Sequence, residues 1–318
     1  MVELFNNYTQ PICILNSYFQ DRQKNKMRPS YFNVNKFMAI IKQSRLFFLP
    51  LPLSAIISSY VLTKNYNLIQ LFWSSLSFLF LHIFVTSVNN TYDVDSDKFS
   101  NTRSNQNPIV THDLTIQEAW IINFITSILA IVTSVFAGFY WLLLILIGIG
   151  LVVIYDIKPF RMKDKPLGIF IIPLAGALPF LFAYLNTPSN DIYFSSVFFI
   201  FTFLYLDLLS AVRLVPDYEK DMQMNVRNFA TCYSIKAVQI LDLIVTILLP
   251  VIFTVAVIFD YLSVLGLPLL LLITGVKFSV LIKPNNVLKN PQVWKRFAQY
   301  AVMNNFVLLI GIVGKLVS

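Results

Sequence analysis

Long apolar stretches alternate with short polar loops from about residue 45 to the end of the chain. Each stretch is a continuous apolar run without the alternation of a half-buried strand, and each is long enough for a helix to cross about 30 Å of hydrocarbon. The pattern predicts an all-α, polytopic membrane protein built as a nine-transmembrane-helix bundle. The predicted spans are residues 45–63, 68–90, 119–137, 139–156, 166–186, 192–214, 237–259, 261–282 and 297–316.

The apolar stretch of residues 119–155 is too long for one span. Ala137 and Gly138 lie near its middle, where a glycine permits a tight turn. Two helices are therefore predicted there.

The composition supports a membrane protein and indicates which kinds of partner it has. The chain has 318 residues, of which 57% are hydrophobic and 13% charged, and its mean hydropathy is +0.68, which is too apolar for a soluble domain of this length. The net charge of +8 is compatible with nucleic-acid binding, but the basic residues lie in short loops between apolar runs, where membrane orientation explains them better. We expect the lipid bilayer as a partner and no nucleic acid.

The loop charges predict the orientation. If the N-terminus is cytosolic, all but two of the 24 Lys and Arg residues, Lys64 and Lys315, fall on the cytosolic side or at cytosolic helix ends. This asymmetry favours a multi-pass protein with a cytosolic N-terminus and the C-terminus outside. Residues 1–40 are expected to be a cytosolic N-terminal extension and not a signal peptide, because no apolar core follows their basic run. Residues 41–318 form the predicted nine-helix domain.

The two cysteines, Cys13 and Cys232, are far apart in the sequence and belong to no CxxC or Cys/His pattern. Such a spacing indicates neither a disulfide framework nor a zinc site. Both are expected to be unpaired thiols.

A polar, acidic stretch at residues 89–97 closes the second apolar run. On a helix, Asn89, Asp93 and Asp97 recur at i, i+4 and i+8, so their side chains lie on one face with a drift of about 40° per step. Grouped carboxylates repel one another unless a cation neutralises them, and hard oxygen ligands suit Mg²⁺. The alternative is a solvated acidic helix end, which would oppose the helix dipole.

A second acidic cluster at residues 213–221 follows the sixth apolar run, on the same predicted side. Asp217 and Asp221 are again four residues apart, and Pro216 is tolerated if a new helical turn begins there. Two such clusters at one end of a helical bundle are what a diphosphate held by several Mg²⁺ ions requires, since carboxylates bind metals and metals bridge phosphate oxygens.

These motifs resemble those of the UbiA superfamily of intramembrane prenyltransferases, over most of residues 40–318. Asn89, Asp93 and Asp97 fit its first motif, NDxxDxxxD, and Asp217 and Asp221 fit its second, DxxxD. The resemblance implies nine transmembrane helices and a cytosolic-side active cavity that takes Mg²⁺ and a prenyl diphosphate. Further similar positions are Ser44 and Arg45, Arg103 and Pro108, and the run 155–163.

The chain departs from the family pattern at three places. Asn90 replaces the usual Asp, Asn107 stands where an Arg commonly precedes Pro108, and Arg213 occupies a place often filled by Asn. The first change lowers the local negative charge, and the others alter phosphate or acceptor contacts. Residues 215–221, with Ala230 and Thr231 following, are similar to the carotenoid-elongating branch.

The chemistry implied is ionisation of an allylic diphosphate whose leaving charge is stabilised in a water-poor cavity. Asp93, Asp97, Asp217 and Asp221 are the predicted catalytic residues, and these four together with Asn89 are the predicted metal ligands. Asn89 is also predicted to bind the substrate. Arg103, Lys158, Arg161 and Lys163 lie in loops on the same predicted face and are predicted to bind phosphate oxygens. The alternative for each cation is ordinary positive-inside loop charge.

Four polar residues fall within or near spans. His82 lies seven residues before Asn89 and is predicted to orient or deprotonate the acceptor, the alternative being a hydrogen-bonded structural histidine. Asp207 is predicted either to act on the acceptor, as His82 is, or to pair with a neighbouring helix. Asp242 and Lys277 lie closer to predicted helix ends, so their charged groups are predicted to snorkel to the membrane interface.

Three functions are compatible with the sequence. The first is transfer of a polyprenyl group from its diphosphate to a lipophilic acceptor, with Mg²⁺ as the cofactor. The second is a terpene cyclase that uses the same ionisation without a separate acceptor. The third is a transporter or lipid-binding protein, which would require acids along a path through the bilayer midplane, whereas the paired acids here cluster on one predicted side.

Overall fold

The computed structural model describes residues 34–46, 49–65, 67–100, 104–186, 194–284 and 288–317. The chain divides into two compact units, Met1–Met38 and Ala39–Ser318, and only residues 34–38 of the first are described. The predicted extension thus lies almost entirely outside the described residues and stays a prediction. The helices are α1 Val34–Ser44, α2 Pro50–Leu62, α3 Leu68–Tyr92, α4 Val94–Asp97, α5 Ile116–Ala137, α6 Phe139–Asp156, α7 Ile171–Leu185, α8 Phe194–Leu208, α9 Tyr218–Gln223, α10 Phe229–Tyr233, α11 Ile235–Ile258, α12 Leu267–Leu281 and α13 Pro291–Val317.

The prediction of an all-α membrane protein is confirmed. The described residues contain no strand, and eight of their helical segments are long and apolar enough to cross a bilayer. Within the described part of the first predicted span, residues 45–63, the α-helix is the 13-residue α2, which is shorter than a full span needs. The count of nine therefore stays a prediction. The eight segments are Leu68–Tyr92, Ile116–Ala137, Phe139–Asp156, Pro166–Leu185, Ser195–Leu214, Ile235–Ile258, Val264–Leu281 and Lys295–Val317.

The predicted break between α5 and α6 is confirmed at Gly138. Its φ of 119° is a conformation that residues with a Cβ rarely adopt, and a Cβ there would lie 2.8 Å from the Asn186 side chain. The carbonyl of Ala137, which has no partner within its own helix end, accepts hydrogen bonds from Gln70 and Asn186. The turn is thus tied to two neighbouring helices.

Two large apolar clusters lie in the interior of the bundle. One surrounds Phe180, Phe203 and Phe253 and joins α2, α7, α8, α11, α12 and α13. The other surrounds Trp141 and joins α2, α3, α5, α6 and α7. Because α2 and α7 contribute to both clusters, the two halves of the bundle share one core. Many large apolar side chains, Ile258 and Leu272 among them, are exposed, as expected for surfaces that contact lipid.

The prediction that Asp242 and Lys277 snorkel is wrong, because their side chains are buried, at 3% and 5% exposed. The Lys277 ammonium lies 5.8 Å from the centre of the Phe297 ring and interacts electrostatically with Asp242 and Asp207. A buried charge is tolerated only with such partners. The neighbouring helices supply them, so neither side chain needs to reach the interface.

Asp207 takes the second of its two alternatives, a pairing with a neighbouring helix. Its two carboxylate oxygens accept hydrogen bonds from Asn304 at 2.6 Å and Asn305 at 3.0 Å. Asn305 also accepts a hydrogen bond from Ser54 on α2. This buried polar contact holds α8, α13 and α2 together.

The two ends of the bundle differ in chemistry. Lys315 near the end of α13 pairs with Asp260 just after α11. Helix α11 begins at Ile235, soon after the second acidic cluster, and ends at Ile258, so this ion pair lies at the other end of the bundle. Which end faces the cytosol stays a prediction of the positive-inside pattern.

Cysteine labelling tests that orientation. In a background with Cys13 and Cys232 replaced by Ser, we expect a membrane-impermeant maleimide to label Phe99→Cys and Asn225→Cys only from the cytosolic side. All three labelled positions, including the control Lys64→Cys, are exposed in the wild-type chain. Lys64→Cys should react only from outside. Labelling of Phe99→Cys or Asn225→Cys from outside in intact cells would contradict the predicted orientation.

Candidate functional site

The first acidic motif keeps the predicted helical register. The Asp93 N–H donates to the Asn89 carbonyl at 3.0 Å, and the Asp97 N–H donates to the Asp93 carbonyl at 2.7 Å, so one ladder runs from α3 into α4. Asp93 and Asp97 are 5% and 2% exposed, whereas Asp95 is exposed and pairs with Lys98. The alternative of a solvated acidic helix end therefore does not describe Asp93 or Asp97.

A lysine bridges this motif to the end of α6. The Lys163 ammonium lies 2.6 Å from an Asp93 carboxylate oxygen and 2.7 Å from one of Asp156. The same Asp156 oxygen accepts a hydrogen bond from the Asn89 amide at 2.7 Å. Asp156 is a site residue that the sequence reasoning missed. Its signal was available, since an acid at the last turn of an apolar helix opposes the helix dipole and needs a partner.

A second cation contacts Asp93. The Arg161 guanidinium lies 3.1 Å from the Asp93 carboxylate and also pairs with Asp164. Burial by itself lowers the pKa of Lys163, but the attraction of Asp93 and Asp156 outweighs it and raises that pKa above the usual value. Both cations are thus held in their charged form, the form that binds phosphate oxygens.

The other two predicted cations are placed differently. Lys158 is exposed and forms no ion pair with the described part of the chain. Arg103 lies outside the described residues. Of the four predicted phosphate-binding cations, the structure brings Arg161 and Lys163 to the carboxylates of the first motif.

The second acidic motif also has the predicted spacing. Asp217 precedes helix α9, and the Asp221 N–H donates to the Asp217 carbonyl at 2.9 Å. Burial raises the pKa of Asp221 and the charge of Asp217 raises it further, with Lys220 and Asn228 opposing them only in part. The Lys220 ammonium lies 3.4 Å from an Asp221 carboxylate oxygen, so this motif, like the first, has a cation at one of its carboxylates.

A hydrogen bond joins the two motifs. The Ser100 hydroxyl, three residues after Asp97, donates to the Asp217 carboxylate at 2.8 Å. The amide of Asn107 donates to the Asp97 carboxylate and to the Asn90 carbonyl, both at 2.9 Å. The prediction that both motifs lie at one end of the bundle is therefore met among the described residues.

Two residues near the first motif have contacts that fit structural roles. The Asn90 amide donates to the Gln43 backbone carbonyl at 3.3 Å and side-chain oxygen at 3.1 Å, bonds that the aspartate usual at this position could not donate. His82 contacts the Arg45 carbonyl at 3.2 Å through Nε2. This contact supports the structural alternative for His82, and its role toward an acceptor stays a prediction.

The donor set at this end of the bundle fits a hard divalent cation. The available ligands are carboxylate and amide oxygens, which Mg²⁺ prefers. Within the described residues no three His, Cys, Asp or Glu side chains are already grouped as a metal site. A metal here would be held by one or two carboxylates with phosphate oxygens completing its shell, which is the usual arrangement for Mg²⁺.

Comparison with known proteins identifies a family and a distant relative. A model of the UbiA prenyltransferase family matches residues 51–305. The protein named "Probable homogentisate phytyltransferase 2, chloroplastic", from Oryza sativa subsp. japonica, is 28% identical over 169 residues. That match covers 50% of this chain and 43% of the rice protein, less than half of its length.

Solved structures share the fold at low sequence identity. A UbiA homologue from Archaeoglobus fulgidus, bound to GPP and Mg²⁺, is 18% identical with a TM-score of 0.63, over 85% of this chain and 99% of that one. A structure of digeranylgeranylglyceryl phosphate synthase is 19% identical with a TM-score of 0.63, over 89% and 99%. The apo UbiA homologue from Aeropyrum pernix K1 is 14% identical with a TM-score of 0.63, over 85% and 97%.

Proposed function

The chain belongs to the UbiA prenyltransferase family, and we propose that it transfers a prenyl group from a prenyl diphosphate to a lipophilic acceptor, with Mg²⁺ and with release of diphosphate. The observation that carries this proposal is the hydrogen bond from Ser100 to Asp217, which joins the two acidic motifs at one end of the bundle. Two carboxylate clusters in reach of each other suit one metal-bound diphosphate better than two separate ligands.

Each group at the site has a role in this proposal. Asp93 and Asp97 on one side, and Asp217 and Asp221 on the other, would hold Mg²⁺, which supplies positive charge to the leaving diphosphate. Asn89 holds Asp156 through its amide. Lys163 and Arg161 pair with the Asp93 carboxylate. Because both cations lie at this carboxylate, they would be available to bind phosphate oxygens of the diphosphate.

The bond changes balance without a redox partner. The allylic carbon–oxygen bond breaks and its electron pair leaves with diphosphate. A nucleophilic atom of the acceptor then donates an electron pair to the allylic carbon and loses a proton. A water-poor membrane interior favours this step, because water would otherwise capture the cation.

The acceptor class defines the first experiment. A relative named as a homogentisate phytyltransferase and a fold neighbour named as digeranylgeranylglyceryl phosphate synthase suggest two probes, an aromatic acid and a glyceryl phosphate lipid. We expect purified protein with Mg²⁺ and an allylic diphosphate to release diphosphate when a suitable acceptor is added. Mass spectrometry should detect a product with the mass of the acceptor plus the prenyl group minus one hydrogen.

The same assay separates the alternatives. Diphosphate release without acceptor, accompanied by a cyclised or eliminated hydrocarbon, would favour the terpene cyclase. A longer polyprenoid or an extended carotenoid end would favour the carotenoid-elongating branch. The double variant Asp93→Asn/Asp217→Asn is the matched control for background hydrolysis. No release with any acceptor, from protein that purifies as a folded species, would contradict the proposal.

A further inference from the structure

The chain between α8 and the second acidic motif is a buried helix break. Helix α8 ends at Leu208, and helical structure resumes as a short 3₁₀ turn at Val212–Leu214, three residues before Asp217. Ala211 and Val212 are completely buried. Non-helical backbone at this depth is tolerated only where the protein satisfies its N–H groups.

Asp242 on α11 satisfies them. One of its carboxylate oxygens accepts from the Ala211 N–H at 2.9 Å and from the Val212 N–H at 3.2 Å. The other accepts from the Ser210 hydroxyl at 2.7 Å. Hydrogen bonds to a charged carboxylate are about twice as strong as neutral ones. Three consecutive residues are thus fixed to one buried side chain.

Apolar packing on the same face of α11 fixes the next part of the segment. Val238, one helical turn before Asp242, packs in a buried cluster with Val212 and Val215. Lys277 on α12 attracts the Asp242 carboxylate without a direct ion pair between the two side chains. The segment is therefore held at Ser210 to Val215, and Asp217 follows two residues later.

We propose that Asp242 is a positioning residue for the second acidic cluster, which sets the location of Asp217 and Asp221 by holding the helix break before them. This inference rests on the proposed function, because it assumes that Asp217 and Asp221 bind the metal and diphosphate. Asp242 itself is not one of the proposed metal ligands. It acts through the backbone of residues 210–212.

The fold contains a matched control. Asp207 is as buried as Asp242, at 3% exposed, and also interacts with Lys277. Its hydrogen bonds from Asn304 and Asn305 go to the last helix and not to the helix break. Replacing either aspartate by Asn removes a buried charge, so both variants should lose thermal stability. Only the Asp242 variant should disturb the metal site.

The experiment measures Mg²⁺ dependence in two ways. One is the Mg²⁺ concentration that gives half-maximal diphosphate release. The other is the Mg²⁺ concentration that gives half of the rise in Tm in the presence of inorganic diphosphate, a measurement that requires no turnover. We expect Asp242→Asn to raise the Mg²⁺ requirement in both by about 10-fold, the lower end of what loss of an outer-shell partner costs. We expect Asp207→Asn to stay within about 2-fold of wild type while its Tm falls, as for loss of a structural contact alone.

Ser210→Ala keeps the test decisive if Asp242→Asn does not fold. It removes one of the three hydrogen bonds to Asp242, and we expect a smaller rise in the Mg²⁺ requirement, about 3-fold, in the direction expected for a lost outer-shell contact. A wild-type Mg²⁺ requirement in Asp242→Asn, or in Ser210→Ala when only that variant folds, would overturn the proposal. An equal rise in Asp242→Asn and Asp207→Asn would overturn it as well.

The two levels of inference fail in different ways. If wild-type protein releases no diphosphate and gains no Tm from Mg²⁺ with inorganic diphosphate, the proposed function fails. If wild-type protein does both and Asp242→Asn behaves in the same way, only the positioning role is wrong.

Discussion

Removal of divalent cations with EDTA should abolish diphosphate release by the purified protein, and added Mg²⁺ should restore it. Four carboxylates, those of Asp93, Asp97, Asp217 and Asp221, would bind the metal in the proposed function. Without a metal they face the diphosphate with like charge, and nothing stabilises the leaving group. Loss of a single preorganised donor costs about 10²- to 10³-fold in turnover in other enzymes, so loss of the metal should bring activity to background.

The control separates metal dependence from damage. Asp93 pairs with Lys163 and Arg161, so the folded protein has internal cations at this carboxylate. We therefore expect the Tm in EDTA to match that of the protein without added metal. Full turnover in EDTA, with an acceptor that gives product in Mg²⁺, would contradict the assignment of the acidic clusters as metal ligands.

The helices could be predicted from the sequence because the bilayer leaves few alternatives to a continuous apolar helix. The two spans on either side of Gly138 could be predicted from the position of that glycine alone. The first predicted span was less accurate, since residues 45–63 were read as one apolar run. Helix α2 begins at Pro50, where a proline that lacks an N–H is tolerated only in the first turn.

The acidic motifs could be predicted because their spacing is local. Asn89, Asp93 and Asp97 lie within two turns of one chain segment, and helical periodicity decides which of them share a face. The contacts that join segments could not be predicted in this way. Asp156 meets Lys163 and Asn89, and Ser100 meets Asp217 across 117 residues of sequence. Only the packing of the helices brings these side chains together.

The residues whose positions were predicted wrongly also depend on contacts between distant segments. Distance from a span end was the only guide to Asp242 and Lys277, and it predicted interfacial side chains. The structure buries both because the helix break provides hydrogen-bond donors to Asp242 and Phe297 on α13 provides a ring next to Lys277. Similarly, sequence position does not show that Lys158 is exposed whereas Lys163 reaches two carboxylates.

The second large effect expected is loss of turnover in Asp93→Asn and in Asp217→Asn. Each change keeps the side-chain size and removes one unit of charge, and we expect each to lower kcat/KM about 100-fold, as for loss of one preorganised group. The effect on folding should be smaller. Lys163 keeps Asp156 and Arg161 keeps Asp164, so Asp93→Asn leaves neither cation unpaired, and an Asn at 217 can still accept from Ser100.

The double variant decides whether the two clusters act on one diphosphate. If Asp93 and Asp217 hold metals around a single leaving group, they form a unit, and the double variant should be little worse than the more damaging single one. Independent sites would multiply their losses, to about 10,000-fold. The measurement is kcat/KM for all four proteins at saturating acceptor, with Tm recorded for each.

Asp95→Asn is the control for the helical face. Asp95 is exposed and forms a surface ion pair with Lys98. Exposed ion pairs contribute about 0–1 kcal/mol to the free energy of unfolding. Asp95 points about 160° away from the mean direction of Asn89, Asp93 and Asp97 on an ideal helix. We therefore expect its kcat/KM to stay within about 3-fold of wild type. A loss as large as that of Asp93→Asn, in protein that inserts and purifies normally, would show that the metal-binding carboxylates were assigned to the wrong face, because charge removal would then matter regardless of the direction in which the side chain points.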